Sequence, residues 1–134
     1  MRHQMPLPEI IIAADDHHDL LLLALGGRGG SADAADDLFY KIERARIVSD
    51  RKLAPDIVRI GSVVRYHPDN GPARDVTLVR PADADISVGK VSVLTPIGTA
   101  LLGLRADQTS TWTTRDGRDH VLSIVSVRQP EMAE

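Results

Sequence analysis

The sequence predicts an α+β protein in two parts: a short antiparallel helical hairpin over residues 1–55, then an antiparallel sheet domain with one helix over residues 56–134. Three observations carry this. Apolar residues recur at helical spacing from Asp16 to about Val48, the period falls to two from Ile60 onward, and Val91–Leu104 reads as a strand running directly into a capped helix.

In the first part, Leu20-Leu21-Leu22-Leu23-Ala24-Leu25 make a short helix. Gly26-Gly27-Arg28-Gly29-Gly30 must end it, because four glycines in five residues cost too much backbone entropy to stay helical. Ser31 can cap a second helix whose first turns hold Asp33, Asp36 and Asp37, carboxylates that complement the helix dipole. Ala35, Leu38, Ile42 and Ala45 share one face, and the stretch Ser31–Val48 would span roughly 27 Å at ~1.5 Å per residue. Two helices with facing apolar sides and a tight glycine loop make a coiled-coil-like arm with Arg28 at its tip.

In the second part, Gly61-Ser62-Val63-Val64 and Asp75–Val79 form the first two strands around the turn Pro68-Asp69-Asn70-Gly71-Pro72. Val91/Val93, Thr109/Thr111/Thr113 and Val121/Val125/Val127 continue the alternation with β-branched residues, and Asp116-Gly117 is a two-residue hairpin signal. Between them, Thr95 is a natural N-cap and Pro96 suits the first helical position, where its missing N–H costs nothing. Ile97, Leu101 and Leu104 then fall at i, i+4 and i+7 and face a core. Gly98 and Leu102 lie together on another face of that helix. Thr95, Pro96, Gly98 and Leu102 are therefore the candidate partner-binding residues, with Leu102 expected to be exposed.

Composition narrows the function classes. The chain of 134 residues has no cysteine, which excludes disulfide and thiolate chemistry and suits a reducing compartment. The run Leu20–Leu25 follows Asp15, Asp16 and Asp19 rather than basic residues and is too short to span a bilayer, so a cytoplasmic protein without membrane contact is expected. The net charge of −3 divides into −3 for residues 1–58, +2 for 59–128 and −2 for the tail. No basic stripe with interleaved aromatics is present, so nucleic acid would be reached only through a protein partner.

The residues that could carry chemistry have simpler readings. His17-His18 among Asp15, Asp16 and Asp19 lacks the i, i+4 histidine spacing of zinc motifs, and Asp15 or Asp16 reads as a helix cap. Asp83 and Asp85 lack the glycine and distal glutamate of a calcium loop. No phosphate-binding glycine loop, metalloprotease motif or nucleophile elbow occurs. No catalytic residue, cofactor or metal is expected.

The stretch Thr95-Pro96-Ile97-Gly98-Thr99-Ala100-Leu101-Leu102-Gly103 resembles the S-P-I-G-x-A-L-L-G signature of the Gre transcript-cleavage factors. The resemblance runs from Ile60 to about Val127, with Ala106 replacing the glycine usual before the aspartate that is Asp107 here. Through Ile10-Ile11-Ile12-Ala13 and Glu43–Val48 it reaches the short-armed branch of that family, the regulators of nucleoside diphosphate kinase. It implies an FKBP-like sheet domain that grips a coiled coil at the rim of the secondary channel of bacterial RNA polymerase. It further implies a monomeric, non-enzymatic regulator that competes with longer-armed Gre factors and affects the kinase downstream of transcription. Gre factors use acidic residues at the arm tip to hold magnesium for transcript cleavage. The tip here carries Arg28 instead, and Asp33, Asp36 and Asp37 read as dipole partners. Cleavage stimulation and FKBP-type prolyl isomerisation are the alternatives. The second would need an aromatic-lined pocket, for which residues 59–128 offer Tyr66 and Trp112.

Overall fold

The most regular alternation in the sequence becomes the centre of a five-stranded sheet. The computed structural model describes residues 9–26, 32–69, 71–113 and 117–129. Strand β3 (Val63–Pro68) sends Val64 and Tyr66 into the core and lies between β4 (Arg74–Val79) and β7 (Asp119–Arg128). Both pairings are antiparallel, with Arg65 opposite Asp75 on one side and Ser126 on the other. A bulge between Arg65 and Tyr66 shifts the register against β7. Strand β6 (Thr109–Thr113) pairs antiparallel with β7, which fits the expected hairpin, although residues 114–116 at its turn lie outside the described residues.

The sheet is mixed rather than antiparallel throughout. Strand β5 (Lys90–Ser92) runs parallel to β4, Leu78 opposite Val91. Residues 80–89, with 3-10 turns at Pro81–Asp83 and Ile86–Val88, carry the chain round so that it re-enters in the same direction. Helix α3 (Pro96–Leu101) follows and covers the buried face. At the turn before β6, the left-handed backbone falls on Asp107, φ 74°, not on Ala106.

The first part departs from the expected short hairpin in the length of its second helix and in its two strands. Strand β1 (Ile11–Ala13) leads into α1 (Ala14–Gly26), and α2 (Ala32–Arg44) packs beside it. Helix α2 has 13 residues, about 20 Å, instead of eighteen. The reason is that Arg46–Val48 leaves the helix as β2 and pairs parallel with β1, Ile12 opposite Ile47, where β-branched side chains suit an extended backbone.

The helix-to-sheet change near Pro55 does not divide the core. Ile10, Ile12, Leu20, Leu38 and Ile42 join Val58, Val64, Leu78, Leu94, Leu101, Leu104, Leu122 and Ile124 in one buried cluster. The end of the sheet is fastened by Gln129, whose Nε2 donates to the Pro55 and Ile57 carbonyls at 2.9 and 2.7 Å while its Oε1 accepts from Ser62 Oγ at 2.7 Å. Among the described residues no helix is long and apolar enough to cross a membrane.

Candidate interaction site

The turn from β5 into α3 is held from within by its own side chains. Thr95 has extended backbone and accepts from the Gly98 N–H at 3.0 Å, while its hydroxyl donates to the Ser92 carbonyl at 2.7 Å. Thr99 Oγ1 donates to the Val93 carbonyl at 2.7 Å. A Cβ on Gly98 would sit 2.0 Å from the Ser92 carbonyl oxygen, so α3 lies directly on the backbone of the preceding strand. That close approach, rather than a special φ, is why glycine stands there.

Leu102 corrects the expected docking surface, since it is 1% exposed. Helix α3 ends at Leu101, and Leu102 takes φ −57° and ψ 130°, so the helical projection that puts it outward beside Gly98 no longer applies. Gly98 is buried as well. The part of the signature open to solvent is Pro96, flanked by half-buried Thr95 and Ile97. Gly98 packs behind this edge against Ser92, and Leu102 belongs to the buried core.

The arm-tip residues are only partly in view. Arg28 lies outside the described residues; Asp33 falls in the first turn of α2, and Asp36 and Asp37 are exposed on the next. The described residues hold no group of three or more ligand-type side chains suited to a metal ion. Asp85 accepts from Ser87 N at 3.1 Å and Ser87 Oγ at 2.6 Å, which makes the Asp83/Asp85 pair part of a turn.

The acidic start of α1 ties the helix to the rest of the chain. Asp16 takes a two-point bond from Arg59 at 2.9 and 3.1 Å, and Asp19 pairs with Arg80 at 2.7 Å. Neither Asp15 nor Asp16 supplies the expected cap. Asp50 instead accepts from the Asp15 N–H at 3.3 Å and from Arg59 at 3.1 Å. The Arg59 hydrogen bond, ahead of the Asp15 amide, holds the Asp50 carboxyl below the usual carboxylate range, and Asp16 then Asp50 push the Arg59 guanidinium up.

Lys41 is the buried side chain that helical periodicity passes over. Its Nζ donates to the Thr99 and Ala100 carbonyls at 2.6 and 2.9 Å. The signal is visible in retrospect. Ala34, Leu38, Lys41 and Ala45 follow the i, i+4, i+7, i+11 spacing of an apolar stripe, and a lysine there must find partners inside. Burial, with Arg44 adding repulsion, lowers its pKa to about 7.

On the sheet face away from the core, Val63, Arg65, Asp75, Ser126 and Arg128 line an open hollow of about 220 Å³. Arg65 grips Asp75 across it at 2.7 and 3.2 Å. Its lining is charged rather than aromatic.

Residues 53–129 match the family described as "Transcription elongation factor, GreA/GreB, C-term". The chain belongs to the GreA/GreB elongation-factor family. It is 32% identical over 131 residues to the Regulator of nucleoside diphosphate kinase of Escherichia coli K12, covering 96% of each chain. It is 32% identical over 81 residues to transcription elongation factor GreA of Sphingopyxis alaskensis, covering 60% of this chain and 51% of that one. Among solved structures, a prokaryotic GreA/GreB elongation factor from Nitrosomonas europaea superposes with a TM-score of 0.70 at 32% identity, over 90% of this chain and 98% of that one. The family match lies mainly on the sheet domain, whereas the Escherichia coli relative and the Nitrosomonas europaea structure extend through the helices.

Proposed function

We propose that this protein is a non-enzymatic transcription regulator that docks on bacterial RNA polymerase at the rim of the secondary channel. The FKBP-like sheet domain of residues 56–134 is the docking part, and the hairpin arm of residues 1–55 sits at the channel mouth. Acting as a cytoplasmic monomer, it excludes Gre factors by occupancy and reaches nucleic acid only through the polymerase. The observation that carries this reading is the built turn: hydrogen bonds from Thr95 and Thr99 and the contact of Gly98 with Ser92 fix a solvent-facing Thr95–Pro96–Ile97 edge. Leu102 contributes as part of the buried core, not by touching a partner.

The arm supports regulation rather than transcript cleavage. Helix α2 at about 20 Å is shorter than the sequence suggests, and Arg28, which the sequence alone puts between the two helices, would repel a cation. Stalled polymerase complexes test both points together. The expected result is that the protein competes with a Gre factor for the complexes, that Pro96→Asp abolishes competition, and that RNA is not cleaved with ample magnesium. Magnesium-dependent cleavage lost in the Asp36→Ala, Asp37→Ala double variant would make the aspartates catalytic; no competition would remove polymerase as the partner.

A further inference from the structure

Lys41 is a charged side chain that is nonetheless buried, at 8% exposure. The last four carbonyls of a helix have no partner within it, and in α3 these belong to Gly98, Thr99, Ala100 and Leu101. Gly98 O accepts from Leu102 N–H at 3.3 Å and Leu101 O from Leu104 N–H at 3.2 Å. Thr99 O and Ala100 O both go to Lys41, from 58 and 59 residues away. A six-residue helix is too short to hold itself, so its end is completed by a side chain of α2.

Helix α3 also has no slack against the edge it carries. The Thr99 N–H donates to the Thr95 carbonyl at 2.8 Å, and the Gly98 contact with Ser92 leaves no room for sliding. A second tie joins the same segment to the start of the arm, the Ile11 N–H donating to the Gly103 carbonyl at 3.2 Å. We propose that Lys41 is a positioning residue that couples the arm to the docking edge: by gathering the Thr99 and Ala100 carbonyls it makes α2 and the Thr95–Ile97 turn move as one body. This rests on reading that edge as the polymerase-facing surface, and it makes the position of the arm a determinant of how the edge is presented.

The charged groups around Lys41 make the coupling adjustable. Arg44 on α2 repels it, α3 has no ionisable side chain, and on α1 Asp16 and Asp19 are held by Arg59 and Arg80. Burial first, and Arg44 after it, lower the Lys41 pKa to about 7, within reach of a titration on the unaltered protein.

The absence of cysteine allows spin labels to be placed at Leu22→Cys on α1 and Val125→Cys on β7, both exposed positions. Pulsed distance measurement should give one narrow distribution, broadened in Lys41→Met at unchanged helix content, with the Ile97 and Gly98 amide resonances moving together with those of α2. An unchanged distribution in folded Lys41→Met overturns the proposal. If Lys41→Met does not fold, titrating the unaltered protein between about pH 5.5 and about pH 9 decides it. A common midpoint for Lys41 Nζ, the α2 amides and the Ile97 and Gly98 amides supports coupling, and separate midpoints overturn it. Lys41→Met should also weaken polymerase binding at least tenfold. Failure of the parent chain to bind polymerase overturns the docking reading alone, because the label and resonance measurements need no partner.

Discussion

The α1–α2 pair is fastened to the sheet on two sides that differ in kind. Along α1, outside the face that buries Leu20 and Ala24, the contacts are ionic and half open to water, with Asp16 on Arg59, Asp19 on Arg80, and Asp50 of the following 3-10 turn also on Arg59. Along α2 they are buried, with Leu38 and Ile42 in the core and Lys41 bonded to the end of α3. Exposed ion pairs in water are worth ~0.2–1 kcal/mol and are screened by salt, whereas buried apolar contacts are not. The α2 side should therefore fix where the arm sits, and the α1 side should trim its angle.

Removing residues 1–55 is the most severe way to break this comparison. It strips Ile10, Ile12, Leu20, Leu38 and Ile42 from the shared core, and the fragment 56–134 is expected to lose cooperative thermal unfolding. A sharp transition in that fragment would show the sheet domain to be self-sufficient. Leu102→Asp comes next, since it places a carboxylate in a site with 1% exposure and should leave little folded protein by circular dichroism. Leu101→Ala, which only opens a cavity, should cost roughly 2–5 kcal/mol in denaturant titration.

The pH dependence sharpens the contrast. Lys41 has its pKa lowered in the fold to about 7 against about 10.4 in an unfolded chain, so between those values the unfolded state holds more protons. Its contribution to stability is full above pH ~10 and is lost as pH falls towards pH ~7, with a slope of at most about 1.4 kcal/mol per unit. Lys41→Met should flatten that stretch of the stability profile; an identical slope in the variant would assign it to another group. Smallest of all, Arg80→Ala should cost under about 1 kcal/mol, and the difference from the parent should vanish in high salt. A loss that persists in salt would mean that the α1 side is an anchor after all.

Much of this was legible from residues in sequence. The capped strand-to-helix turn, the β3–β4 and β6–β7 pairings and the Ala35, Leu38 and Ile42 face all follow from local spacing and turn chemistry. What was hidden depends on distant partners. Arg46–Val48 looks helical until Ile11–Ala13 offers it a parallel strand, and the parallel β4–β5 pair depends on the path of residues 80–89. Leu102 projects outward only if the helix continues, and it stops one residue earlier. Arg59 and Lys41 are ordinary surface types whose roles come from carboxylates and carbonyls more than 40 residues away.

The fit between Ile10 and Gly103 also sets an order of events in time. A Cβ on Gly103 would lie 2.3 Å from Ile10 Cγ2, and the residue holds φ +81°, so Ile10 occupies the space a side chain there would claim. β1 precedes α3 in the chain, so during synthesis this seat is completed only after α3 has emerged. Contacts of such sequence separation close late, because the entropy of the intervening loop must be met before they return anything. Ile10 must therefore wait, without its seat at Gly103, until the end of α3 has been made.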